Sequence, residues 1–200
     1  YTVTDLQYFG GNLYVAGLST EAWRSALYTI PFPFKKNVKM TNVEVYHGAH
    51  GKYETRSPVQ TFVPYEINGS AHLLAAYTCT PLVKFPISDL KKNARVRGTT
   101  IAELGNYNRP LDILVYSKDK KDYLLIANSS RGVMKVTTNN IATITPLTKK
   151  VTPRGGTAGL KYETVKDLKD VMQLAKLSNT HALIMTQKSQ GFRRPRIGPG

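Results

Sequence analysis

The chain is short of several things at once, and each shortage narrows what it can be. One cysteine, Cys79, stands among 200 residues, so no internal disulfide forms and the redox compartment is not written in the sequence. No apolar run approaches the roughly 18 residues that a membrane-spanning helix requires. Helical periodicity is nearly absent; only Leu90-Lys91-Lys92 and Thr164 to Asp170 offer a turn or two. Acidic residues are few, 13 against 28 lysines and arginines, which leaves a net charge of +15 and a field that attracts polyanions, acidic proteins or anionic surfaces without naming one. The basic residues are scattered over turns and strand faces, and no basic helix, zinc finger or aromatic RNA-binding signature gathers them, so nucleic acid is not the expected partner. The one dense cluster, Arg193-Arg194-Pro195-Arg196, adjoins the terminal Gly-Pro-Gly and reads as a tail. Catalytic signatures are missing too: there is no HExxH, GxSxG or CxxCH, and the glycine-rich Arg154 to Gly159 lacks the Lys-Ser/Thr ending of a phosphate-binding loop.

What is present is a repeat. Asn12-Leu13-Tyr14-Val15-Ala16 returns as Leu73-Leu74-Ala75-Ala76, as Leu124-Leu125-Ile126-Ala127 and as Ala182-Leu183-Ile184-Met185. That spacing suits one four-stranded propeller blade per copy. Around each copy, short β-rich runs alternate with Gly, Asn or Asp turns. The first unit reads as strands over 4–9, 12–18, 26–30 and 43–46, and the second over 59–67, 72–77, 82–87 and 99–104. The third reads as strands over 112–117, 123–127, 133–137 and 141–145, and the fourth over 171–177, 181–186 and 192–197, with one strand missing. The fold expected is all-β: a single partial β-propeller domain over 1–200, with blades near 1–57, 58–108, 109–165 and 166–200. About four blades of four antiparallel strands are visible, within a ring of six to eight. Lys52-Tyr53-Glu54-Thr55 and Lys161-Tyr162-Glu163-Thr164 are matching tetrapeptides, and both are expected in equivalent loops ahead of an innermost strand.

With YVAGLS, LLAAYTCTPLV and YLLIANSSRGVMKV as blade cores, the chain resembles bacterial secreted or periplasmic β-propellers of the broad seven-bladed type. The resemblance is architectural; the Trp-Asp dipeptide of WD40 repeats and the kelch double glycine are absent, so it carries over no functional residues. It implies a periplasmic or extracellular location and a C-terminal portion whose earlier blades precede Tyr1.

In such a fold the connections from fourth to first strand and from second to third strand open on one face. That face is expected to gather ligand-binding side chains: Tyr53, Glu54, Arg56, Tyr77, Cys79, Asn108, Arg109, Asn128, Arg131, Tyr162 and Glu163, together with Gln187, Lys188 and Ser189. His47-Gly48-Ala49-His50 is the sharpest local feature, because imidazoles three apart on a glycine-containing loop can converge on copper or zinc, with Tyr53 or Glu54 completing the shell. A hydrogen-bonded structural loop histidine is the competing reading of His47. Cys79 reads as a small buried residue or as a soft ligand, and His72 and His181 as structural. Asn68-Gly69-Ser70 and Asn128-Ser129-Ser130 match the glycosylation triplet. Two functions follow. One is a binding or scaffold propeller of an exported bacterial protein that holds a small ligand or an acidic protein partner. The other is a metal-dependent oxidoreductase or hydrolase with His47 and His50 at the channel.

Overall fold

The computed structural model describes residues 2–34, 36–178, 180–187 and 192–193. They are all-β apart from one 3₁₀ turn at Ile87–Asp89. The first sheet runs β1 (Thr2–Phe9), β2 (Asn12–Leu18), β3 (Ser25–Pro31) and β4 (Lys39–His47), with the short β5 (Lys52–Glu54) folded back on β4. The second holds β6 (Val59–Ile67), β7 (Ser70–Tyr77), β8 (Pro81–Pro86) and β10 (Thr99–Glu103). Between β8 and β10 the chain makes β9 (Ala94–Arg97), which pairs in parallel with β4 of the first sheet. The third sheet is β11 (Pro110–Lys118), β12 (Lys121–Asn128), β13 (Gly132–Thr137) and β15 (Tyr162–Val165), and its own long connection lends β14 (Ala158–Gly159) to β10. The fourth is β16 (Val171–Lys176), β17 (Ala182–Gln187) and β18 (Phe192–Arg193).

Turn chemistry explains the hairpins. Gly10-Gly11, Asn68-Gly69 and Asp119-Lys120 each place two successive residues at positive φ, the backbone of the two-residue turn whose twist matches that of its strands. The repeated apolar motif has an equally local cause. Leu73 and Ala75 enter the core shared by the first and second sheets, with Tyr14, Leu27, Val45 and Phe62, whereas Leu74 and Ala76 enter the core shared by the second and third, with Ile113, Leu124 and Met134. Leu125 and Ala127 then face Leu174 and Ile184 of the fourth sheet. A strand buried on both faces cannot alternate with polar residues and reads as a continuous apolar run. Each such fully buried Leu contributes about 1.5–3 kcal/mol.

The first strands carry a second repeat that the sequence reading missed. Each of β1, β6, β11 and β16 is bulged at its start, between Val3/Asp5, Val59/Thr61, Pro110/Asp112 and Val171/Gln173. The bulges align Asp5, Thr61, Asp112 and Gln173. Asp5 accepts hydrogen bonds from the Phe62 backbone N–H at 2.8 Å and the Thr61 hydroxyl at 2.8 Å, and Asp112 accepts one from the Leu174 N–H at 2.8 Å. Each aspartate therefore ties its own first strand to that of the next sheet. Burial pushes both carboxyls above their usual range, against the N–H donors that hold them down.

Three expectations are corrected. Residues 141–145 are not a strand: Ile144 N–H and Thr143 N–H bond back to the Asn140 carbonyl, which makes a turn, while Ile141 is a lone buried anchor in the core. Its apolar character imitated strand alternation. The fourth strand of the third sheet is β15, so Tyr162 and Glu163 lie within a strand paired to β13, whereas Lys52–Glu54 lies beyond a fourth strand. The two matching tetrapeptides are therefore not equivalent. Leu90 to Lys92 and Thr164 to Asp170 form no helix: Thr164 and Val165 close β15, and the other residues belong to connections whose ends are fixed by strands. Of the expected strand 192–197, residues 194–197 lie outside the described residues, as do Lys188, Ser189 and most of the Arg193–Arg196 cluster.

Candidate functional site

The second-to-third connections, or the strand ends that flank them, are hydrogen-bonded to fourth-to-first connections: Ser25 N–H to the Thr55 carbonyl, Cys79 to Asn108, Ser129 to Arg109 and Gln187 to Asp170. They share one face. On it, the connection from β4 to β6 meets the turn from β7 to β8.

β4 ends at His47 in a tight turn, with the N–H groups of His50 and Gly51 returning to the His47 carbonyl at 3.1 and 2.8 Å. The turn stacks the two imidazoles, 3.9 Å between ring centroids at 40°. Because β5 folds back antiparallel on β4, Glu54 arrives beside both. Its carboxylate takes His47 Nδ1 at 3.0 Å on one oxygen and His50 Nδ1 at 2.6 Å on the other, and the Ser57 hydroxyl also donates to it. Burial opposes ionisation of Glu54, but these hydrogen bonds outweigh it and hold its carboxyl at about 2. An ionised Glu54 fixes Nδ1 of each ring as a donor, so that the lone pair of a neutral ring lies on Nε2. His47 is 3% exposed and its Nε2 has no partner among the described residues. Burial also pushes the His47 imidazole below its usual range despite Glu54, so it stays neutral as a ligand must.

Cys79 enters from the second sheet. It and Thr80 occupy left-handed backbone at φ of +64° and +62°, a conformation that costs an ordinary side chain about 1–2 kcal/mol. Two bonds hold the turn there: Cys79 N–H to the Asn108 carbonyl at 2.7 Å and the Thr80 hydroxyl to the Gly105 carbonyl at 2.5 Å. The result is that one ligand atom from each of His47, His50 and Cys79 lies within 4.8 Å of the others. Burial pushes the Cys79 thiol up, with the Glu103 and Glu54 charges adding to it against the Asn108 bond, so a metal must displace its proton. Beneath the turn, Glu103 is 1% exposed. One of its oxygens accepts the Ala49 N–H at 3.2 Å and the other has no partner among the described residues. Burial raises this carboxyl to about 7, against the Ala49 and Gly48 N–H groups. Gly48 permits the approach, because a Cβ there would lie 2.9 Å from the Glu103 oxygen.

The remaining expected residues separate. Tyr77 is wholly buried in the core between the first and second sheets and is no ligand-binding residue. Tyr53 stands edge-on to Tyr46 at 5.1 Å and beneath the Arg97 guanidinium at 4.1 Å, and Arg97 in turn binds Glu44 at 2.6 Å. Arg56 and Arg109 are exposed. Asn108 donates to the Asn128 side chain at 2.8 Å and accepts from the Ser130 N–H, while Asn128 donates to the Ile126 and Gly132 carbonyls; both are loop ties. A buried, fully engaged Asn128 is also unsuited to accept a glycan. Arg131 caps the Asn106 carbonyl at 3.0 Å. Tyr162 packs against the core between the second and third sheets, and Glu163 pairs with Lys135 at 2.7 Å, away from the histidines. His72 and His181 make local contacts, His72 to the Ser70 carbonyl and His181 to Thr180. Sequence reasoning named His47, His50, Glu54 and Cys79 but not Glu103, whose only signal is an acid that closes the short strand Thr99–Glu103.

Compared with known proteins, the chain matches no family model and no curated protein sequence.

Proposed function

We propose that the chain is a β-propeller domain that binds a transition-metal ion, copper or zinc, on its loop face through His47, His50 and Cys79. Four sheets that follow one another in sequence, each bulged at the same point of its first strand, with the first clasped to the second by Asp5 and the third to the fourth by Asp112, support the propeller part of the reading. So does the packing of β6 against both β1 and β11, and of β11 against β16, which suits first strands gathered toward an axis.

A single cluster carries the metal: one ligand atom from each of His47, His50 and Cys79 lies within 4.8 Å of the others, one ionised carboxylate, Glu54, holds both imidazoles by Nδ1, and the buried His47 Nε2 has no partner among the described residues. A carboxylate that orients histidines through their far nitrogens is the usual outer support of a metal site. A purely structural His47 would find a partner for Nε2, because a buried orphan acceptor costs about 1–3 kcal/mol. Two imidazoles and a thiolate make a soft-to-borderline set that suits zinc or copper and does not suit magnesium or calcium. Three ligands also leave a fourth position open, as catalytic and exchangeable sites do. With Cys79 and Glu54 ionised, a divalent ion brings this half-buried cluster to neutrality.

Elemental analysis of purified protein beside His47→Ala and Cys79→Ala tests the proposal. Near one equivalent of zinc or copper in the wild type, lost in both variants while the circular-dichroism spectrum is kept, is the expected outcome. Equal metal content in all three leaves no role for this cluster.

A further inference from the structure

The long connection from β13 to β15 crosses the same loop face. At one end it lies on the histidine turn: Val151 N–H donates to the Gly48 carbonyl at 2.9 Å, and a Cβ on Gly51 would meet the Lys150 side chain at 2.9 Å. At the other end it lies on the loop that holds Cys79, since Arg154 stacks on Tyr107 at 4.7 Å and Gly155 abuts the Asn106 side chain. Lys150 to Gly155 therefore bridges the turn that supplies the histidines and the loop that holds the Cys79 turn in place. Arg131 reaches the same loop from the third sheet, its guanidinium lying over Gly105. Neither Arg131 nor Arg154 forms an ion pair with a carboxylate among the described residues. Asn106, nine-tenths buried, keeps an unpartnered side-chain oxygen between them. Two guanidiniums without a carboxylate partner among the described residues, both set against the loop that holds the Cys79 turn, make a place for negative charge near the proposed metal site, and guanidinium forks suit the paired oxygens of carboxylates and phosphates. The Asn106 oxygen adds an acceptor for a hydroxyl on the same ligand.

We infer that the metal site takes a small oxyanion, a carboxylate or phosphate group held by Arg131 and Arg154 and completing the coordination of the ion. This rests on the metal-binding reading above. It is tested by titrating inorganic phosphate, and in parallel acetate, into zinc-loaded protein by calorimetry in about 0.15 M salt, where the general field of a +15 chain is screened beyond about 8 Å. Zinc content is measured on the same samples. Saturable binding of at least one anion is expected, weakened about tenfold or more in Arg154→Ala and Arg131→Ala, with zinc content unchanged in both and binding lost in chelator-treated protein. Binding of phosphate alone or of acetate alone identifies the group recognised. No binding to zinc-loaded protein, or equal binding by metal-free protein and the arginine variants, overturns the inference and leaves the metal site standing. A wild type that holds neither zinc nor copper overturns both.

Discussion

The junction of the second and third sheets and the junction of the first and second occupy the same place in the repeat, yet the buried polar side chains that face each other across them are treated differently, even though Asn106 on the second-to-third connection keeps an unpartnered oxygen of its own. Between the second and third, Asn108 and Asn128 face each other at 2.8 Å, and their remaining groups reach Ser130 N–H and the Ile126 and Gly132 carbonyls. Between the first and second, His47 and Glu103 each keep a buried atom without a partner among the described residues. A loop face that only had to hold together would use the amide solution at both places, since buried polar groups are nearly always satisfied. On the proposed reading, one junction is a tie and the other a receptacle.

Replacing a residue at each junction should separate the two. The largest effect is expected at the receptacle: His50→Ala should weaken zinc binding by more than about 100-fold, beyond the loss typical of outer-sphere partners. A competition titration against a chromogenic chelator measures it, and an unchanged affinity would place the ligands elsewhere. Next, Glu103 gives the receptacle a pH signature. Its folded-state value of about 7 lies above that of an unfolded glutamate, so its contribution is fully present below about 4.3 and is lost as pH rises through 7. For metal-free protein this slope amounts to as much as about 3 kcal/mol. Glu103→Gln should flatten it in urea melts at pH 5 and 8, and a wild-type slope that survives the substitution would assign it to other groups. At the tie, Asn128→Ala should cost about 1–3 kcal/mol in the same melts through orphaned partners while zinc affinity stays put; a loss of zinc there would merge the two junctions. Comparable in size is Glu54→Gln, whose amide cannot accept from both imidazoles as a carboxylate does. It should weaken zinc about 10- to 100-fold, and wild-type affinity would make Glu54 a loop anchor.

Much of this contrast was legible in the sequence, for reasons that differ by residue. The strands were readable because Leu73-Leu74-Ala75-Ala76 and Leu124-Leu125-Ile126-Ala127 are buried on both faces, and because Gly10-Gly11 and Asn68-Gly69 mark their own turns. His47 and His50 were readable because their spacing lies within one turn. The partnership of Glu54 with both required knowing that β5 folds back on β4, which three residues of strand barely encode. The tetrapeptide match misled because Lys52–Glu54 and Lys161–Thr164 take their places from what each pairs with, β4 in one case and β13 in the other. Glu103 and the Asp5 and Asp112 clasps were hidden because their partners lie more than 50 residues away. Periodicity sees neighbours along the chain and along a face, and it does not see which distant backbone N–H a carboxylate will meet.

The central claim is that Cys79 and the two histidines share one ion, and X-ray absorption at the zinc edge of the loaded protein tests it most directly. The account predicts a first shell with one sulfur near 2.3 Å and two imidazole nitrogens near 2.0–2.1 Å, the sulfur scattering disappearing in Cys79→Ser. A wild-type shell of nitrogen and oxygen alone, without sulfur, would contradict it.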